Sequence, residues 1–360
     1  MTTIHPSVGN PIVDKLTYLL PWSTGYTKEE QYKKLLPIRD RIKSSMKHGR
    51  CKKAYISNQR YIEKIIITLP SGSTALVQIG AVNPLYQKGG INVTLNPSRL
   101  SRSDVQEFHD EMNYLIGPDY QELIKEPFLN RVDFAIDILN VNIDDLIVNY
   151  RQAGKRSFCM KRTKTNSKIE YYSFGSISSA YNYVVYDKRT EQIHQAIKAL
   201  LEKQNKPDFS YENSVSRIIE KRNAPEKTRV EVRAIKLNGR RPHELATMAN
   251  RFERFMFADL ASDRGPKLSE FDRAAFLSMA RQKGVPAAIA LYEKERPGVP
   301  VREFWRSKRV DWWKPENAWT EACDALRRSG IFPECAFSEP PVHNLAWPRS
   351  AKSNKSGAAK

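Results

Sequence analysis

Alternation of apolar and polar positions picks out the strands of this chain. In Asn130-Arg131-Val132-Asp133-Phe134-Ala135-Ile136-Asp137-Ile138-Leu139 it is strict. Val132, Phe134, Ile136 and Ile138 form one face, and Arg131, Asp133, Ala135 and Asp137 form the other. Residues 228–235 alternate likewise, with Val230, Val232 and Ala234 inward and Arg229, Glu231 and Arg233 opposite. In 180–188, Tyr181, Tyr183 and Val185 share one face and Asn182, Val184, Tyr186 and Lys188 the other. Further strands are predicted at 62–69, paired as a hairpin with 74–80 across Pro70-Ser71-Gly72-Ser73, and at 91–96 and 169–175.

Helical spacing marks the rest. Thr27 caps a helix over 28–36, which Pro37 should break before opening a second helix to about His48. Ser101 or Ser103 caps a helix whose apolar face is Val105, Phe108, Met112, Leu115 and Ile116, ended by Gly117-Pro118. Helices are also predicted at 141–153, after Tyr186 to about Lys203, around 213–221, and at 245–260, 268–283 and 285–295.

If the three ionic strands lie side by side, one polar sheet surface gathers Asp133, Glu231, Tyr186, Lys188, Arg131, Arg229 and Arg233. A carboxylate-bound cation would polarise a phosphoryl oxygen there, a positioned phenol would attack, and Lys or Arg would balance the charge. Asp133 and Asp137 lie about 13 Å apart along their strand, too far to chelate one ion together. Either one, with a ligand from a neighbouring strand, could hold Mg²⁺ or Mn²⁺. The plainer alternatives are a solvated face carrying an Arg–Asp pair and an edge tyrosine among the chain's 16.

Charge sharpens this. The 360 residues carry 59 Lys plus Arg against 40 Asp plus Glu, a net +19 that suits a polyanionic partner such as nucleic acid. Lys155, Arg156, Lys161, Arg162 and Lys164 fall in one basic stretch suited to lying along phosphates. No apolar run is long enough for a membrane span, and the N-terminus lacks a signal peptide's charged start and long apolar core, so a cytoplasmic protein is expected. Cys51, Cys159, Cys323 and Cys335 form no CxxC pair, the six histidines form no HxH or HExxH, and no P-loop is present.

Four motifs in fixed order resemble the Rep-trans type of rolling-circle replication initiators of plasmids and filamentous phages. They are the RxDxAxD strand at 131–137, Tyr172-Ser173-Phe174-Gly175 with Ser179, Tyr186-Asp187-Lys188-Arg189-Thr190-Glu191, and Arg229-Val230-Glu231. Residues 93–100 resemble that family's passage from strand to helix, and the similarity spans about 60–240. The resemblance implies an α+β fold, a relaxase-like antiparallel sheet with helices packed on one face. It also implies a divalent cation on carboxylates and a tyrosine that nicks one DNA strand, joins its 5′ phosphate and frees a 3′ hydroxyl primer. Carried over, Tyr186 is the nucleophile, Lys188 and Arg131 balance charge, and Asp133 and Glu231, with Asp137 behind them, are the metal ligands. Arg229 and Arg233 join the basic stretch as DNA contacts. Origin DNA, double- and single-stranded, a host helicase and a second copy of the chain are the expected partners. Two positions depart from the pattern: Thr94 stands where a glutamate is common, and Ile177 where an arginine is common.

The expected organisation is an N-terminal adaptor (1–55), a nicking and joining domain (56–240), a C-terminal helical region for DNA or partner binding (241–348) and a disordered tail (349–360). Residues 305–314 mix cations with tryptophans, which suits either single-stranded DNA stacking or helix packing. Against the nicking initiator stand a basic DNA-binding regulator without catalysis and a relaxase for element mobilisation.

Overall fold

The computed structural model describes residues 5–339, apart from 58, 88, 152–157, 163–168, 177, 204–209 and 261. Of 158–162, 170 and 203 it describes the backbone. In chain order the elements are β1 (Ser7–Val8), β2 (Ile12–Leu20), α1 (Lys28–Lys47), β3 (Cys51–Lys53), β4 (Tyr61–Thr68), β5 (Thr74–Ala81) and β6 (Ile91–Leu95). Then come α2 (Arg102–Ile116), α3 (Asp119–Leu123), β7 (Phe128–Leu139), β8 (Leu146–Tyr150), β9 (Phe158–Arg162), β10 (Ile169–Phe174) and β11 (Tyr181–Asp187). The last are α4 (Lys188–Lys203), α5 (Tyr211–Asn223), β12 (Lys227–Ala234), β13 (Phe255–Asp259), α6 (Glu270–Lys283), α7 (Val285–Glu295), α8 (Val301–Ser307) and α9 (Ala318–Arg328).

Eleven of these strands form one sheet in the order β3-β4-β5-β6-β2-β7-β12-β11-β10-β9, with β1 paired to β7. Every pairing in it is antiparallel. Its apolar face is covered by α1, α2 and α9, through Leu35, Ile38 and Ile42, Phe108, Met112 and Leu115, and Trp319, Ala322 and Leu326. The expected α+β class and antiparallel sheet are what the chain adopts. No described helix is long and apolar enough to cross a membrane.

Four expectations give way. Residues 12–20 lie between β6 and β7 in the middle of the sheet, so the first 55 residues are not a separate adaptor. Pro37 does not break its helix, and α1 runs through it for 20 residues. The proline lies on the exposed side while Leu35, Ile38 and Ile42 are buried, so packing outweighs a cost of about 3 kcal/mol. Residues 146–150, expected as part of a helix, are β8, which pairs with β13 out of the expected helix at 245–260. Both faces of that two-stranded sheet are covered. Leu146, Val148, Tyr150, Phe255 and Phe257 face the main core, and Ile147 and Ala258 face a second cluster with Phe276, Tyr292 and Phe304. A strand buried on both sides reads as a continuous apolar run, which periodicity cannot tell from a buried helix.

The region beyond 240 is therefore not one block. Helices α6 to α8 build the second cluster, whereas α9 returns to the large sheet, where Trp319 meets Phe134 edge-on at 5.1 Å. Trp305 is buried in the second cluster and Trp312 and Trp313 pack against the main core, so these indoles serve packing rather than an open stacking surface.

Candidate active site

The registers of β2, β7, β12 and β11 bring the polar positions to one surface. Arg229 pairs with Asp137, Glu231 with Ala135, and Arg233 with Asp133. On the other side of β12, Tyr186 pairs with Arg229, Val184 with Glu231, and Asn182 with Arg233. The Tyr186 side chain leans along its strand, and its hydroxyl donates to Glu231 Oε1 at 2.5 Å. Lys188 Nζ lies 3.4 Å from that hydroxyl and is itself held by Glu191 at 2.8 Å. This gives the Tyr–Asp–Lys–x–x–Glu motif a physical reading: the glutamate one turn into α4 fixes the buried lysine beside the phenol. Asp187, between them, accepts from the Thr190 amide and hydroxyl at the start of the same helix.

Arginines hold the carboxylates. Arg233 donates to Glu231 Oε2 at 2.6 Å, and Arg131 grips Asp133 with a two-bond fork at 2.8 and 2.6 Å. Burial pushes the Tyr186 hydroxyl far above its ordinary value, and the negative charge of Glu231 pushes it further. The resting phenol is thus protonated and tied to a carboxylate. Burial works against the Arg233 cation, and Glu231 more than restores it.

Beside Tyr186 opens a cleft of about 590 Å³ between the polar face of β10 and β11 and one side of α4. Tyr171, Ser173 and Asn182 form its floor, His194 and Lys198 its wall, and Arg233 its inner end. Gly175 shapes the approach. It turns out of β10 at φ +98°, and a Cβ there would meet the Tyr181 carbonyl oxygen at 2.8 Å, so the glycine of the Tyr–x–x–Gly motif is a steric requirement. Tyr172 of that motif is fully buried, its hydroxyl on the Leu146 carbonyl at 3.1 Å.

The structure gathers Tyr186, Lys188, Glu231, Arg233, Asp133 and Arg131 as expected. It sets two others apart. Arg229, expected to contact DNA, is 5% exposed and lies between Asp137, which it forks at 2.6 and 2.9 Å, and Asp14 at 2.6 Å. It is an internal tie, buried, with three of its five donors spent on carboxylates. Asp137, expected as a reserve metal ligand, has both oxygens engaged by that buried arginine. Lys155, Arg156 and Lys164 fall outside the described residues, as does Ile177, and Lys161 and Arg162 lie on strand β9.

Two site residues went unread in the sequence, Asp14 and Lys15. The register of β2 against β7 slips between Val13, opposite Phe134, and Lys15, opposite Asp133. That irregularity sends both consecutive charges to the polar face, where strict alternation would have divided them. The signal was a charged pair set between the apolar runs Ile12-Val13 and 16–20.

No group of three or more His, Cys, Asp or Glu side chains stands at metal-holding spacing among the described residues. Mg²⁺ asks for less, since one or two carboxylates with substrate phosphate oxygens and water commonly hold it. Asp133 and Glu231 are the pair that would meet that need. They are 3% and 1% exposed and one diagonal step apart on adjoining strands. The arginine contacts leave lone pairs free on both carboxylates, and Arg131 and Arg233 reach the solvent, with side chains 30% and 31% exposed. Asp137 does not fit, because its arginine is locked in place.

No protein-family profile matches the chain, and no curated protein matches it. Among solved structures it is similar to a rolling circle replication initiator protein from Geobacillus stearothermophilus. Identity is 12% and the TM-score 0.29, over 64% of this chain and 75% of that one.

Proposed function

We propose that the chain is a rolling-circle replication initiator that nicks one DNA strand at an origin by attack of Tyr186 on a backbone phosphate. The observation that carries this reading is the Tyr186 hydroxyl at 2.5 Å from Glu231 and 3.4 Å from Lys188, at the mouth of a cleft ending on Arg233. Nucleophile, base and cation stand within reach of one another, as tyrosine attack requires. The net charge of +19 and the four ordered motifs support the same reading.

In the proposed step the phenol oxygen bonds to phosphorus as its proton passes to Glu231 Oε1. The bond from phosphorus to the 3′ oxygen breaks, and that oxygen takes a proton from water to become the 3′ hydroxyl primer. The 5′ phosphate stays on Tyr186 as a phosphodiester, so its bond energy is kept for rejoining, when a 3′ hydroxyl attacks and the phenol regains its proton. Lys188 offsets the charge that develops on the phenol oxygen. Arg131 and Arg233 face the phosphoryl oxygens, where fixed cations in a partly dry site act strongly. A Mg²⁺ or Mn²⁺ ion at Asp133 and Glu231 would supply a Lewis acid for the phosphoryl group.

The test is to incubate the chain with supercoiled DNA of its own replicon, digest the protein and locate the DNA-linked peptide by mass spectrometry. An adduct on Tyr186 with a free 3′ hydroxyl is expected. An adduct on another tyrosine would displace Tyr186, and binding without any adduct would leave a DNA-binding regulator.

A further inference from the structure

A second groove opens on the same polar face on the other side of the reacting centre. It holds about 410 Å³ and is lined by Lys15, Ser71, Ser73, Thr94, Asn96 and Arg99 among others. It has two cations and several hydroxyls but no carboxylate, a lining suited to an anion. Thr94, on β6, hydrogen-bonds Thr17 of β2 at 3.0 Å, so the wall beside Lys15 is neutral.

Lys15 is the unusual member. The β2 irregularity turns it onto the polar face opposite Asp133, where the charges acting on it are Arg131, Asp133, Arg233 and Asp14. Asp133 is already forked by Arg131, and Asp14 is already paired with Arg229. The half-buried Lys15 ammonium has no hydrogen bond and no ion pair among the described residues. With Arg131 and Arg233 near it and both nearby carboxylates already paired, it stands as a cation without a counter-anion of its own. A lysine held this way costs stability unless something negative arrives.

We infer that Lys15 and the groove behind it bind the DNA phosphate next to the one that Tyr186 attacks, with Arg99 further along the same strand. Arg233 lines the cleft beside Tyr186 and its charge also acts on Lys15, so the two grooves flank the same strands of the polar face. One strand laid across it would keep its scissile phosphate at Tyr186 and its neighbour at Lys15. This assignment rests on the nicking reading.

The experiment uses the full chain and single-stranded origin oligonucleotides, each carrying one uncharged methylphosphonate at a position flanking the nick. Binding is measured with a Tyr186→Phe background and nicking with Tyr186 intact. With Lys15 present, one position adjacent to the nick should weaken binding on the order of tenfold. Lys15→Met should weaken binding to all-phosphate DNA by the same factor, lower the salt slope by about one, and ignore the methylphosphonate at that position. Lys15→Arg should restore both. The melting temperature of Lys15→Met should hold or rise, because an unpaired charge has been removed, whereas a structural lysine would lower it. Unchanged binding and nicking in Lys15→Met, or undiminished sensitivity to that methylphosphonate, overturns the Lys15 assignment alone. Absence of nicking in the unaltered chain removes the parent reading and this one with it.

Discussion

The Tyr186 hydroxyl and the Glu231 carboxylate meet across neighbouring strands at 2.5 Å, although the residue directly opposite Glu231 is Val184. The contact is a diagonal one, made because both side chains lie on the polar face and Lys188 stands behind the phenol. A buried carboxylate beside a buried phenol is unfavourable to either group alone, and the shared proton satisfies both. In the proposed step this gives Glu231 the part of base. Glu231→Gln keeps the shape and an acceptor oxygen but cannot take the proton. Nicking should fall by roughly 10²–10⁴-fold, the usual worth of general base catalysis, while gel-shift affinity for the origin stays within a few-fold. Equal loss of binding and nicking would make Glu231 a structural residue.

Chelation tests the pairing of Asp133 with Glu231. EDTA should stop nicking and Mg²⁺ or Mn²⁺ should restore it, with origin binding little changed throughout, since in the proposed scheme arginines and lysines carry the phosphate contacts. Asp133→Asn should raise the metal concentration needed for half-maximal nicking by at least tenfold. Asp137→Asn should leave that concentration where it was, because the arginine that forks Asp137 is buried, whereas the Arg131 that forks Asp133 is 30% exposed and free to turn away. A nick that proceeds at full rate in EDTA would remove the metal from the scheme.

Much of this site was legible as period-two alternation. The faces of 131–137, 181–187 and 229–233 are those of β7, β11 and β12, and the ionic side is the one that collects the chemistry. What alternation cannot show is where it slips. Asp14 and Lys15 reach the same surface only because β2 is irregular opposite β7, and their being adjacent charges between apolar runs is the one local sign of it. Nor does a pattern say which charges are committed to each other. Arg229 and Arg233 are four residues apart on one face, yet one is locked between Asp14 and Asp137 and the other reaches the cleft. The β8–β13 pair was hidden for a third reason: its partners are about a hundred residues apart and each is buried on both sides.

Alkaline titration reads the buried phenols. Burial raises Tyr18, Tyr61, Tyr120, Tyr150 and Tyr186 above their ordinary value, with neighbouring tyrosines or Glu231 adding to it at Tyr120, Tyr150 and Tyr186. A phenol raised in the folded state gives stability that is fully present below about pH 10 and is lost as pH climbs above it. Absorbance at the phenolate band should therefore show the exposed tyrosines ionising first. The buried set should follow in one step together with loss of far-ultraviolet ellipticity. Tyr186→Phe should move that step to higher pH. Smooth ionisation of every tyrosine near pH 10 in a chain that stays folded would contradict the burial of these rings.

Arg229 offers the sharpest stability test. Its guanidinium ties three adjoining strands, accepted by Asp137 of β7 and Asp14 of β2 while it projects from β12. Burial disfavours the cation, and Asp137, then Asp14, more than offset that. Arg229→Met removes the cation between two carboxylates, each about a fifth exposed, and leaves only the looser Lys227 contact to Asp137 at 3.8 Å as counter-charge. The expected loss is about 3–5 kcal/mol in urea unfolding, the range for breaking one side of a buried ion pair. Adding Asp14→Asn and Asp137→Leu removes the stranded charges, so the triple variant should recover most of that loss. Its nicking should recover with its stability, because no member of this trio touches the phosphate in the proposed step. If the refolded triple variant binds origin DNA more weakly, with a salt slope reduced by about one, Arg229 is a DNA contact after all.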